Sequence, residues 1–318
     1  MLKLCAAGLS VICYLFPAVA ASDSTSGSNL PRSLHLGAAW YPEQWPEDRW
    51  DADLALMRRA GFTMVRVGEF AWSRMESEEG HYDLDWLDHA IAKAAEHHIL
   101  TVIGTPTDAP PAWLTYKYPD VLRIDADGRQ VQHGNRRQFS YTSPRYRELC
   151  KKVVEQLAFR FGKNPSVIGW QIGNEYSDES FDSYTRRLFQ DWLKAKYKTL
   201  DALNGAWTTE YWSQTYDKWE EIPLGASHGN PGLLIDYRRF VTSVWTDFQH
   251  NQLEVIRRYN KGSQFITTNF GGLGWTDKFD HYAVARDLDL ISWDDYVGQG
   301  HLDVYRNCDA TGNWTEVS

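Results

Sequence analysis

The sequence predicts an α/β protein, and within that class a (β/α)8 barrel running through about six strand–helix units. Three observations carry the prediction. From residue 34 onward, short apolar runs alternate with segments of helical period, and near-continuous apolar strands belong to a parallel sheet covered by helices. The turn after the first strand, "AAWYPEQWPEDRW", holds no glycine, whereas a doubly wound nucleotide-binding sheet carries its Gly-rich turn there. "GGLG" at 271–274 follows a late strand and does not supply that motif. Finally, nearly every strand ends on polar or aromatic residues: Trp40 and Tyr41, Glu69, Asp108, Asn174 and Glu175, Asn269, Asp294 and Tyr296. A barrel builds its active face from the C-terminal ends of several strands.

The elements follow in order. "LHLGAAWY" (34–41) reads as the first strand, and "DRWDADLALMRRAG" (48–61) as a helix closed by Gly61. "FTMVRVGEF" (62–70) is the second strand, "DWLDHAIAKAAEHH" (85–98) the second helix and "ILTVIGTPTDA" (99–109) the third strand. A long connection over 106–142, rich in Pro, Arg and aromatics, leads to Ser143 and Pro144, which open a helix ending at Gly162. "SVIGWQIGNE" (166–175) is the fourth strand, and residues 181–230 form a Trp-rich excursion with helical pieces. A long helix at 234–260, a fifth strand "SQFITTNF" (263–270) and a sixth, "LDLISWDDY" (288–296), complete the series.

Composition bounds the function. The chain has 318 residues, 43% of them hydrophobic, enough for a sizeable core. A net charge of -9 argues against a nucleic-acid partner, which wants a basic face. At the N-terminus, Lys3, an apolar stretch and the small-residue run Ala18-Val19-Ala20 have the layout of a secretory signal peptide over 1–20. The apolar stretch is short for a span of about 20 residues, so a secreted or periplasmic protein without a membrane anchor after cleavage is expected. Residues 21–33 read as a flexible tether and 34–318 as the catalytic barrel domain. Cys5 and Cys13 fall in the leader; Cys150 and Cys308 alone form no disulfide framework.

Chemistry is concentrated at the strand ends. In "WQIGNEY" (170–176), Glu175 stands past an apolar run between Trp170 and Tyr176. A carboxyl beside apolar walls has a raised pKa and can deliver a proton near neutrality. Asn174 suits a ligand hydroxyl. The competing reading makes Glu175 a helix cap or the partner of a nearby Arg; the strand-end position favours the functional one. Arg136 and Arg137 offer planar forks for hydroxyls or carboxylates, or equally an ion pair on the rim. The 15 Trp, 17 Tyr and 13 Phe serve core packing in any fold, but Trp40, Trp72, Trp113, Trp275 and Trp293 sit where sugar-stacking platforms would. No metal motif and no G-x-S-x-G elbow occur, so no metal and no cofactor is expected. Carboxylates with aromatics point to glycoside hydrolysis.

"GAAWYPEQWPEDRWDADLALMRRAGFTMVRVGEFAWSRMES", "EGHYDLDWLDHAI", "GTPTDAPPAWLTYKYPD", "HGNRRQFSYTSPRYRE", "VIGWQIGNEY" and "DLISWDDY" follow one another in an order that resembles the glycoside hydrolase family 42 β-galactosidases, over residues 35 to 306. The resemblance implies a (β/α)8 barrel and a retaining double displacement on terminal β-galactosides. It makes Glu175 the acid/base, gives Asn174 and Arg136 sugar contacts, and places Asp294 and Tyr296 near the sugar. Many members hold a structural zinc by four Cys; here Ser140 occupies one such position, so no zinc is expected. The family's second carboxylate follows a seventh strand. Residues 304–318 contain no apolar strand, and Glu316 is their one Glu, so the nucleophile is expected outside this chain, with the barrel truncated and any homo-oligomer contacts beyond it. Two other readings remain open: an inactive galactoside-binding fragment, and an endo-β-glycanase on a related barrel.

Overall fold

A computed structural model describes residues 34–225, 229–260, 264–271 and 278–294. Its strands are β1 (Gly37–Ala39), β2 (Met64–Val67), β3 (Glu76–Glu78), β4 (His81–Tyr82), β5 (Leu100–Gly104), β6 (Val167–Gln171), β7 (Phe265–Thr267), β8 (Asn269–Phe270) and β9 (Ser292–Trp293). Its α-helices are α1 (Glu47–Arg59), α2 (Trp72–Met75), α3 (Asp85–Glu96), α4 (Ala112–Lys117), α5 (Pro144–Phe161), α6 (Ser183–Tyr197), α7 (Leu200–Trp207), α8 (Pro231–Asn260) and α9 (His281–Ala285). The main sheet runs β1-β2-β5-β6-β7, every pair parallel. After Thr268 the chain continues as β8, which pairs in parallel with β9. Setting aside the small antiparallel β3–β4 hairpin, each strand therefore lies beside the next in sequence, the order of a (β/α) barrel wall.

The helices cover this wall because their apolar stripes have nowhere else to go. On α5, Leu149, Val153, Val154, Leu157 and Phe161 are buried, and α8 packs along it through Phe248, Val255 and Ile256. Ser143 caps α5, its hydroxyl accepting the Tyr146 N–H at 3.3 Å, with Pro144 in the first turn. In β6, Gly169 leaves room for the Phe265 ring of β7, which would lie 2.4 Å from any Cβ there. Stacked aromatics fill the space behind the end of β6: Tyr176 on Trp245 (4.6 Å), Tyr141 on Trp245 (4.2 Å) and Phe139 on Tyr146 (4.3 Å).

Several sequence expectations are corrected. The connection over 106–142 contains α4, and residues 72–82 form α2 and the β3–β4 hairpin, too short for periodicity to reveal. The fourth strand ends at Gln171, so Asn174 and Glu175 lie in a turn beyond it. Trp40 and Trp72 are core residues rather than sugar platforms: Trp40 packs edge-on against Trp50, and the Trp72 indole N–H is held by Glu76 at 2.7 Å. Trp113 is half-buried and donates to the Glu76 carbonyl at 2.9 Å. Trp293 keeps 41% of its surface exposed. Trp275, Tyr296 and Glu316 lie outside the described residues.

Candidate active site

The turn after β6 presents Glu175. Gly173 has φ +59 and Glu175 φ 50, a left-handed conformation that non-glycine residues adopt at a cost and that clusters at functional sites. Every side of the turn is tied. The Ile172 N–H bonds the Thr267 carbonyl (2.8 Å), and the Thr268 hydroxyl bonds the Ile172 carbonyl (2.7 Å). The Gly173 N–H bonds the Thr105 hydroxyl (2.8 Å), which itself donates to Gln252 of α8. The Glu175 N–H reaches the Asn269 carbonyl at 3.2 Å, and the Glu175 carbonyl accepts from Arg137 Nη1 at 3.2 Å.

The Glu175 side chain is buried, at 2% exposure, yet its surroundings are ionic and polar rather than the expected apolar walls. Asn174 Nδ2 donates to Oε2 (3.1 Å), Arg136 Nη2 lies 3.2 Å from the same oxygen, and Arg137 Nη1 lies 3.8 Å away. The Trp170 indole N–H is bonded to Gln264, and Tyr176 stacks on Trp245. The left-handed backbone at 175 separates the direction of its side chain from those of its neighbours.

A polar network joins this carboxyl to five strand ends. Asn269 Nδ2 donates to Asn174 Oδ1 (3.1 Å) and to Asp294 Oδ2 (2.8 Å). Gln171 Nε2 donates to Asn269 Oδ1 (3.0 Å), and Gln171 Oε1 accepts from Arg66 (2.6 Å). Arg66 pairs with Glu69, which also accepts from the Tyr41 hydroxyl (2.6 Å). Asp294 closes the circuit: its carboxyl stands near enough to Glu175 for each to act on the ionisation of the other. Burial and the neighbouring Glu175 push Asp294 up to about 7, against the opposing pull of Asn269 and Arg66. Burial likewise raises Asp108 to about 7, with Arg137, the Asn174 N–H and Arg136 pulling the other way.

The structure thus brings Arg136 and Asp294, far apart in sequence, to the Asn174-Glu175 pair. Sequence reasoning named Asn269 as a strand-end residue without giving it a role; it is the hub. Arg66 and Gln171 were missed, although a charged or amide residue inside an otherwise apolar strand is a usable signal. A cavity of about 390 Å³ opens on the concave face, with Arg66, Gln171, Asn269 and Asp294 above Met64, Val102 and Phe265. Among the described residues, no group of three or more His, Cys, Asp and Glu is placed to hold a metal ion. At position 140, the Ser hydroxyl bonds Asp182 and Thr142, both at 2.8 Å.

A parallel barrel wall holds a buried carboxyl among an amide, a guanidinium and a second carboxyl at its C-terminal rim, the place where barrel enzymes carry their functional residues. The family model for glycoside hydrolase family 42, described as β-galactosidase, matches residues 39–313, and the chain belongs to that family. It is 42% identical over 268 residues to a β-galactosidase of a Thermus species, covering 82% of this chain and 41% of that protein. A β-galactosidase of Alicyclobacillus acidocaldarius is 41% identical over 84% of the chain. The crystal structure of a cold-adapted β-galactosidase from Rahnella sp. R3 superposes with a TM-score of 0.79 at 38% identity, covering 84% of this chain and 40% of that one. The chain spans about 40% of the length of these relatives.

Proposed function

We propose that this domain carries the acid/base half of a retaining β-galactosidase that removes terminal non-reducing β-D-galactose. The observation that carries the reading is the buried Glu175 carboxyl, bonded by Asn174 and paired with Arg136, with Asn174 bonded in turn to Asn269 at the edge of the cavity. In this reading Glu175 protonates the glycosidic oxygen as the bond to the leaving group breaks, then takes a proton from the water that releases galactose. An amide nitrogen carries two N–H groups; Asn174 gives one to Glu175 and the other serves a sugar hydroxyl. Arg136 and Tyr296 contribute further sugar contacts.

Asp294 does not supply the second carboxylate. A retaining pair stands about 5–5.5 Å apart to admit the sugar, whereas the Asp294 carboxyl is held by Asn269 in the same polar cluster as Glu175, close enough for Glu175 to raise its pKa. Its role is to act on the ionisation of Glu175 and face the sugar. Both oxygens of Glu69 are engaged by Arg66 and Tyr41. In this reading the nucleophile belongs to residues other than these.

The test is hydrolysis of an aryl β-galactoside by this chain and by a version extended to the length of its relatives. Glu175→Gln should lower kcat/KM by about 10²–10⁴-fold; activity that survives it sinks the assignment. Oligomeric products from a polymeric substrate would favour the endo-acting reading, and galactose binding without turnover a glycan-binding role. We also propose that residues 1–20 are a cleaved leader and the mature protein secreted or periplasmic, on the charge and small-residue layout of that segment. An exported product whose N-terminal sequence still begins at Met1 would refute this. Among the described residues no helix is long and apolar enough to cross a membrane.

A further inference from the structure

Asp108 is a buried acid that the chemistry above does not use. It stands after β5, 2% exposed, against the inner side of the turn that carries Glu175. A Cβ on Gly173 would lie 2.9 Å from its Oδ2. That oxygen is buried without a hydrogen bond of good geometry, and such an atom in a native site calls for a reason beyond packing.

Two connections run from Asp108 to Glu175. The carboxyl interacts with the Asn174 backbone N–H, in the peptide unit just before Glu175. The Asp108 carbonyl accepts the Arg137 N–H at 2.7 Å, and Arg137, itself left-handed at φ 61, holds the Glu175 carbonyl. Resting on the acid/base reading of Glu175, we propose that Asp108 is a positioning residue that sets the strained turn and hence the aim of the Glu175 carboxyl, and that its protonation changes how firmly the turn is held.

The groups that act on Asp108 come from each element around it: Arg136 and Arg137 from the 106–142 connection, Glu69 from the end of β2, Tyr146 and Cys150 from α5, and Tyr176 after β6. The ionised form is the stronger acceptor for the Asn174 N–H and the counter-charge to Arg137. The protonated form weakens both. The turn is therefore held more tightly as pH rises through the ionisation of Asp108.

Two readouts test this, one of them independent of catalysis. In ¹H–¹⁵N spectra of the full chain carrying Asp294→Asn, which removes the second carboxyl that ionises near 7, the Asn174 amide resonance should titrate with a midpoint near 7, where Asp108 ionises; on adding Asp108→Asn, which keeps the shape and an acceptor oxygen but cannot ionise, that titration should vanish. In the extended protein, Asp108→Asn should remove the matching inflection from the pH profile of kcat. Asp108→Ala should lower kcat by about 10²-fold with KM little changed, as for a misplaced catalytic group. An Asn174 titration that persists unchanged when Asp108→Asn is added overturns the proposal, as does a superimposable kcat profile. Loss of the titration in a protein that never hydrolyses galactosides would uphold Asp108 and overturn the proposed function instead.

Discussion

At the scale of single residues, the site depends on backbone conformations that few side chains tolerate. Gly173 is the clearest case. Its φ of +59 is one that L side chains rarely adopt, and a Cβ would stand 2.8 Å from the Tyr176 ring as well as 2.9 Å from Asp108. Gly173→Ala should destabilise the domain by about 1–3 kcal/mol, read as a lower urea midpoint with an unchanged slope, and should shift Glu175 out of reach of Arg136. An unchanged midpoint would show that the turn is not strained. Glu175 itself was legible from sequence because an Asn-Glu pair past an apolar run is unusual. Its surroundings were not. Next to the carboxyl stand Asn174 and Arg136, and Arg136 is a partner that adjacency in sequence could not name.

At the scale of elements, the connection before α5 is fastened to the start of α6 by one carboxylate. Asp182 Oδ2 accepts from Ser180 (2.6 Å), Ser140 (2.8 Å) and the Thr185 hydroxyl (2.9 Å), while Oδ1 caps α6 through the Thr185 N–H (2.8 Å). Burial raises its pKa, and these donors more than offset that, leaving it below the ordinary value of 3.8. Asp182→Ala should cost about 1–2 kcal/mol from the lost cap alone. A carboxylate with a depressed folded pKa contributes its stability above its unfolded value and loses it as pH falls through the folded one. The gap between wild type and variant, measured by thermal unfolding, should therefore be full at neutral pH and shrink below pH 3.8. A gap that stayed constant to low pH would mean that the hydroxyl bonds do not depend on charge. The α5 cap was readable, because Ser-Pro before an amphipathic run states a helix start; the Asp182 knot was not, because its donors at 140, 180 and 185 converge only on folding.

At the scale of the whole molecule, the alternation of strands and helices was open to reading from periodicity, and the glycine-free first turn and the polar strand ends chose the barrel from it. Parallel strands buried on both faces must be apolar throughout, and the intervening helices must show a stripe, so the alternation survives in the sequence. Short pieces such as α2, α4 and β8 fall below the length at which a period can be counted. The likeness to family 42 relatives extends over more than four-fifths of the chain and about two-fifths of theirs. It agrees with the barrel wall seen here.

What the sequence determined by itself is the barrel class and the place of Asn174 and Glu175 past a strand end, because hydrophobic period and strand-end polarity are local properties; Arg136 was assigned to the site only through the family resemblance. What only the tertiary structure decided is the circuit around that carboxyl. Asn269, Gln171, Arg66, Asp294 and Asp108 come from four other strands and from β6 itself, and they meet because parallel strands in register bring their C-terminal ends to one rim. Hydrogen bonds and charges act over a few ångströms in space, and no pattern along the chain records which side chains the fold will place within that distance.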